Sequence, residues 1–265
     1  MKKKLNKSLL GILTLSMALT IFSPNISLAN EITSNNNTVN DYENAIKDGA
    51  ISNSMTQSSF SQLQEASKIA EKELEEFDKN NNFEEVNYLR AGFSFKKGDI
   101  LITNGTSYYG LTGHAAIITG SNSVLDAPGK AHTVKKNGKN VTLNTTRQLT
   151  TRTFINKYTD DPGEWVKVYR PKHNDIAIAA AKWADRNYYS SSGSATQNKF
   201  PKYTLATNLT STNYVYWSKI IYQAYYYGSG NKSYVWPKLA QGIILPYDIP
   251  ISFTWGNAPK KVKTY

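Results

Sequence analysis

The stretch YVYWSKIIYQAY at residues 214–225 is the most informative part of the chain. Its apolar residues stand at positions i, i+3, i+4 and i+7: Trp217, Ile220, Ile221 and Ala224. This spacing places them on one face of an α-helix. The pattern therefore predicts a helix that begins near Trp217 and ends near the glycines at 228 and 230.

Several short strand-like segments precede this helix. They are GDILIT at 98–103, GHAAII at 113–118, SVLDA at 123–127, VTL at 141–143 and WVKVY at 165–169. Asn, Gly, Asp and Pro residues separate them, as in tight turns. A helical period returns over 176–188. We expect an α+β fold in which an antiparallel, partly barrelled sheet packs with helices, and an extended, proline-rich tail that lies along the surface.

Three of these segments, taken in order, resemble a known family. The Gly98-Asp-Ile strand start, the Gly113-His-Ala-Ala-Ile strand and the SKIIYQAY helix at 218–225 are similar to the permuted papain-like (YiiX/YebB-like) branch of the NlpC/P60 hydrolase superfamily. The resemblance covers roughly residues 97–255. It implies a permuted papain-like fold and cysteine amidase or peptidase activity on murein peptides.

The resemblance also implies a set of site residues. His114 takes the place of the catalytic base, and Asp126, on the next strand, takes the place of the group that orients it. The nucleophilic cysteine of the family falls at Trp217, and the chain contains no cysteine. An indole N–H is only a hydrogen-bond donor, so Trp217 is not competent as a nucleophile. The sequence thus predicts the fold without its usual chemistry.

Alternatives remain open at each of these positions. Ser218 could substitute as nucleophile, although one step along a helix turns a side chain by about 100°. Asp126 either orients His114 or caps the Ala-Pro-Gly turn that follows it. His132 is a rival orienting residue, and His173 reads as a loop or helix-start residue.

The first residues have the features of a cleaved signal peptide. Four lysines at 2, 3, 4 and 7 precede an apolar run at 9–22, and Ser27 and Ala29 supply the small residues of a cleavage site near Ala29. The run is shorter than the ~20 residues of a membrane span. An uncleaved anchor is the alternative. The pattern indicates a bacterial protein that is secreted or associated with the cell wall.

Charge and composition restrict the partners. The chain has 31 basic and 20 acidic residues, and loss of the leader's four lysines lowers the net charge from +11 to +7. A basic exported protein is attracted to anionic wall polymers. No Lys/Arg-rich block or binding motif indicates nucleic acid. Three histidines without cysteine argue against a structural zinc site, and we expect no cofactor or metal.

The composition divides the chain into four segments. Residues 1–29 form the signal peptide, and 30–55, rich in Asn, Ser and Thr, form a flexible lead-in. Residues 56–92 are an N-terminal helical segment with an amphipathic helix over 56–77, which either packs on its own domain or binds a partner. Residues 93–265 are the permuted papain-like domain.

These features lead to three functional hypotheses. The first is a wall-associated binding or regulatory pseudoenzyme that contacts cell-wall peptides. The second is an active amide hydrolase that uses Ser218 or another nucleophile. The third, less favoured, is a basic secreted effector that acts on membranes through its charge and the 56–77 helix. The sequence leaves the oligomeric state open.

Overall fold

The computed structural model describes residues 36–81, 93–230, 233–237 and 242–265. The predicted signal peptide at 1–29 lies outside these residues. The helices are α1 (Asn36–Lys47), α2 (Gln57–Asn80), α3 (Thr151–Lys157), α4 (Asn174–Tyr188) and α5 (Trp217–Gln223), which a wider turn continues over Ala224–Gly228. The larger strands are β1 (Ile100–Tyr108), β2 (Leu111–Gly120), β3 (Ser123–Asp126), β6 (Arg147–Leu149), β7 (Val166–Arg170) and β10 (Lys260–Thr264).

Six strands form the central sheet in the order β10-β7-β1-β2-β3-β6, and every neighbouring pair is antiparallel. The sheet is open, so the expected α+β class with an antiparallel sheet is confirmed and barrel closure is not found. Two smaller pairs lie outside it: the hairpin β4 (His132–Lys136) and β5 (Lys139–Leu143), and the parallel pair β8 (Lys202–Tyr203) and β9 (Tyr214–Val215).

Side-chain alternation along the strands builds a separate hydrophobic cluster on each face of the sheet. On β2, Ala115 and Ile117 belong to the larger cluster, which also contains residues of α2, α4 and α5. Ala116 and Ile118 belong to the smaller cluster, which α3 covers with Phe154. The face of the sheet on which a candidate site residue lies determines which of the two hydrophobic clusters surrounds it.

Helix α2 packs on its own domain, as one of the two sequence-based readings predicted. The Thr56 hydroxyl caps it by accepting a hydrogen bond from the Ser59 N–H at 3.1 Å, an arrangement that stabilises a helix by about 1 kcal/mol. Phe60 and Leu74 are fully buried in the larger cluster. At its C-terminal end Asp78 accepts a hydrogen bond from the Tyr169 hydroxyl and pairs with two lysines of the sheet, Lys167 and Lys261.

The prediction of a flexible lead-in over 30–55 is wrong for its described part. Residues 36–47 form α1, and Ala45, Ala50 and Ile51 are fully or almost fully buried. The Leu205 N–H donates to the Ala50 carbonyl at 2.7 Å and fixes the segment beside β8. The average composition of residues 30–55 did not predict this docked helix, because burial of three small or medium-sized apolar residues is enough to hold a short helix.

The tail also differs from its prediction. Two short 3₁₀ turns begin at Pro246 and Pro250, where proline suits the first position of a helical turn. Tyr247 between them is fully buried, and Phe253 is nearly so. The chain then adds β10 to the edge of the sheet. The tail is therefore part of the core because the apolar residues between its prolines face inward.

Candidate functional site

Strands β2 and β3 bring His114 and Asp126 together. The imidazole Nε2 lies 3.0 Å from a carboxylate oxygen of Asp126, and both side chains are fully buried. Gly113 sets the path of the strand before His114 with φ +87°, and a Cβ there would lie 2.7 Å from the Tyr247 ring. Only glycine fits this conformation and this close approach. The predicted association of His114 with Asp126 is thus present in the structure.

Two residues that the sequence analysis missed complete the cluster. Arg147 lies opposite Asp126 on β6 and donates to both carboxylate oxygens at 2.9 Å, a bidentate ion pair. The Tyr158 ring stacks on the imidazole with centroids 4.9 Å apart. Phe154 of α3 adds a second ring at 6.0 Å. We call His114, Asp126, Arg147 and Tyr158 the histidine cluster.

The electrostatics of the cluster favour a neutral imidazole beside an ionised carboxylate. Burial lowers the pKa of His114, an effect that Asp126 only partly offsets. Burial raises the pKa of Asp126, but hydrogen bonds from His114 and Arg147 outweigh it and lower that pKa to about 2. A carboxylate only accepts, so the imidazole proton is assigned to Nε2. Nδ1 is then an acceptor, and it is buried without a hydrogen-bond partner among the described residues.

These shifts predict how stability depends on pH. The folded pKa of His114 lies below its ordinary value of 6.5, so the unfolded chain binds the proton more readily, and stability falls as pH falls through 6.5. One proton gives a slope of about 1.4 kcal/mol per pH unit. Asp126 adds a second loss between the ordinary pKa of 3.8 and its folded pKa of about 2.

Urea titrations at several pH values check this prediction. We expect His114→Gln to abolish the loss between pH 6.5 and 5, since glutamine does not titrate, and to retain the loss below pH 4. An unchanged slope above pH 5 in the variant would assign the upper transition to another group.

Trp217 and Ser218 occupy different surroundings from the histidine cluster. The Trp217 side chain is 1 % exposed and belongs to the larger hydrophobic cluster, where it meets the rings of Tyr203 and Tyr216 edge-on. The buried Ser218 hydroxyl donates to the Ile244 carbonyl. No hydrogen bond or ring contact within the described part of the chain joins either residue to His114. The structure thus shows no hydrogen bond or ring contact between the predicted nucleophile position and the predicted base.

The remaining histidines lie elsewhere. His132 begins β4, and its Nδ1 lies 3.3 Å from the Lys130 carbonyl, so it does not orient His114. His173 precedes α4 and packs edge-on against Tyr234. Among the described residues, no group of three or more histidine, aspartate or glutamate side chains could hold a metal ion.

Comparison with known proteins assigns the chain to a family. The model of the lipoprotein N-acylation protein LnsA-like family matches residues 60–265, which include the whole sheet and the histidine cluster. The chain belongs to the LnsA-like family. The matched family is thus a different one from NlpC/P60.

One relative of the LnsA-like chain is an uncharacterized 30.3 kDa protein of Bacillus thuringiensis. It is 41% identical over 175 residues, which are 66% of this chain and 59% of the relative. This chain therefore spans about three fifths of the relative's length. No solved structure matches the chain. Within the described residues, no helix is both long enough and apolar enough to cross a membrane.

Proposed function

We propose that this LnsA-like chain is an exported, cell-envelope protein that binds peptide ligands and has no cysteine-dependent catalysis. The observation that carries the proposal is an oriented histidine without a thiol. The imidazole has its carboxylate and a free Nδ1 acceptor, yet the sequence contains no cysteine. A cysteine amidase needs a thiolate, a base and an orienting group, and here only the last two are present.

A distant relation to NlpC/P60 forms part of the proposal. Support comes from the order of the elements: the His114 strand, the Asp126 strand and, about a hundred residues later, the helix that begins at Trp217 and packs across β2. The permuted papain-like arrangement has this order. The position of the nucleophilic cysteine in that arrangement is occupied here by Trp217, a buried side chain of the hydrophobic core.

We also propose that Ser218 does not act as a catalytic nucleophile. The Ser218 hydroxyl is committed to a backbone carbonyl, and a serine nucleophile depends on a base within hydrogen-bond reach. Ser218 has no such contact with His114. The geometry therefore favours the binding hypothesis over a serine hydrolase.

The proposed ligands are the N-terminal segments of lipoproteins. The name of the matched family supports this class, because it refers to lipoprotein N-acylation. The basic net charge supports a location at the anionic cell envelope, with the leader at 1–29 removed on export. Murein peptides, the class implied by the resemblance, are the alternative ligand.

The test uses the purified chain without its leader. It is incubated separately with a synthetic diacylated lipopeptide and with murein peptides, and binding is measured by calorimetry and turnover by mass spectrometry. We expect saturable binding of the lipopeptide and no change in the mass of either ligand. Turnover that His114→Ala abolishes would reject the non-catalytic proposal, and absence of binding would reject the ligand class.

A further inference from the structure

A surface cleft lies beside the turn between β1 and β2. An open cleft of about 620 Å³ separates α1 from the turn between β1 and β2. Its lining includes Asp41, Asn44, Asp48, Tyr108, Tyr109 and Lys130. The volume falls within the range of small-molecule sites. The lining shares no residue with the histidine cluster.

Two tyrosines form a fixed aromatic wall of this cleft. The Tyr108 and Tyr109 hydroxyls are 2.7 Å apart, and the Tyr109 hydroxyl donates to the Asp48 carboxylate. Tyr109 has φ +53°, a left-handed conformation that is unfavourable for a residue with a side chain. Strained residues of this kind concentrate at functional sites, where the surrounding structure holds them.

Unpaired acceptors line the same cleft. The partly buried Asp41 carboxylate has no hydrogen bond or ion pair with any described residue, and burial raises its pKa. Asn144 also lines the cleft; its Nδ2 donates to the Gly129 carbonyl at 2.7 Å, and its buried Oδ1 has no partner among the described residues. Such acceptors can take hydrogen bonds from a ligand that supplies N–H or O–H groups.

The charge of the residues that line the cleft favours some of these ligands over others. Asp41 and Asp48 outnumber Lys130, so the residues that line the cleft carry a net negative charge in a chain of net charge +11. The Lys130 ammonium already lies over the Tyr108 ring, 5.5 Å from its centroid, so this aromatic face is accessible to a cation. A neutral polyol would gain nothing from the charge.

We propose that this cleft binds a primary ammonium group, with Asp41 as its counter-ion and the Tyr108 and Tyr109 rings as its aromatic wall. Asp41 is placed for this role because its carboxylate adjoins the hairpin turn: a Cβ on Gly110 would lie 3.1 Å from the Asp41 oxygen. The ammonium group can belong to a peptide N-terminus or to a lysine-like side chain. The proposal is independent of whether the histidine cluster is catalytic.

The experiment measures binding to the full mature chain by calorimetry. The probes are butylammonium and its neutral counterpart butanol, followed by a free-amino tetrapeptide amide, its N-acetylated form and Nα-acetyl-lysine amide. We expect the ammonium probes to bind and the neutral probes to bind at least about tenfold more weakly, as loss of a charge-assisted contact predicts. The two peptide probes distinguish the α-amino source from the side-chain source.

Three variants sharpen the test. Asp41→Asn keeps the shape of the side chain and should weaken butylammonium binding about tenfold. Lys130→Gln removes a competing cation and should strengthen it about threefold. Asp160→Asn, at an exposed carboxylate outside the cleft lining, is the matched control and should change nothing. Far-UV circular dichroism verifies that each variant is folded.

Several results would overturn the proposal. These are equal binding of butanol and butylammonium, wild-type affinity in Asp41→Asn, weaker binding in Lys130→Gln, or no ammonium binding at all. N-acetylglucosamine serves as a further neutral probe. If it binds while butylammonium binds no more tightly than butanol, the cleft is a carbohydrate site and not an ammonium site. None of these outcomes depends on turnover, so they are distinguishable from failure of the proposed function.

Discussion

Asp126→Ala lowers the free energy of unfolding by about 3–5 kcal/mol, the cost of removing one partner from a buried ion pair. The variant leaves the Arg147 guanidinium without its bidentate acceptor and the His114 Nε2 proton without a partner. The His114 side chain is fully buried and the Arg147 side chain is only 18 % exposed, so water compensates little for either loss. Urea unfolding followed by circular dichroism at pH 7 measures the effect.

A matched pair elsewhere in the sheet provides the control. Asp99 is almost fully buried and accepts two hydrogen bonds from Arg170 at 2.9 and 2.7 Å, but no histidine joins it. Asp99→Ala should give a comparable loss of stability and leave the slope between pH 6.5 and 5 unchanged. Asp126→Ala should instead remove the further loss of stability between pH 3.8 and about 2, because the carboxylate that titrates there is gone.

Comparison of Asp126→Ala with Asp99→Ala distinguishes the general cost of breaking a buried ion pair from the effects that are specific to the histidine cluster. A loss below about 1 kcal/mol for Asp126→Ala would mean that Arg147 and His114 find other partners, as exposed pairs often do. Retention in Asp126→Ala of the loss between pH 3.8 and about 2 would mean that another group causes that loss. Either result would contradict the arrangement on which the oriented-histidine argument depends.

Local pattern was sufficient to predict most elements of the fold. The periods around Phe60, Ile100 and Trp183 gave the correct types for α2, β1 and α4, since each element buries one regular face. The association of His114 with Asp126 came from the family resemblance. The sheet is open rather than partly barrelled, and the tail is buried rather than on the surface, because sheet curvature and burial of the tail depend on contacts far apart in the chain.

Arg147 and Tyr158 show why part of the site could not be predicted. Neither belongs to a motif, and each reaches the cluster only because β6 pairs with β3 and because the segment after α3 folds over the imidazole. The only available signal was the charge of Arg147, which lies outside every segment that the sequence analysis predicts as a strand. Such a residue requires a partner when the strand is buried, but the sequence does not name the partner.

Trp217→Ala should lower the free energy of unfolding by about 3–5 kcal/mol, the range for large aromatic side chains removed from a core. The indole is 1 % exposed and packs against Tyr203 and Tyr216, with ring centroids 6.2 and 5.7 Å away. Trp255 is the matched control, because its side chain is 85 % exposed. Trp255→Ala should change stability by less than about 0.5 kcal/mol.

Trp217→Cys tests the same residue as a relic of a catalytic position. Apolar burial raises the pKa of a thiol, so the new cysteine should react with iodoacetamide more slowly than a free thiol at pH 7. Comparison with Trp217→Cys combined with His114→Ala shows whether the imidazole takes part. Reaction faster than a free thiol, abolished in the double variant, would mean that the base and the nucleophile position still face each other. In that case a single substitution at residue 217 would separate this chain from a thiol enzyme, whereas slow reaction in both variants would show that the indole has become an ordinary part of the core.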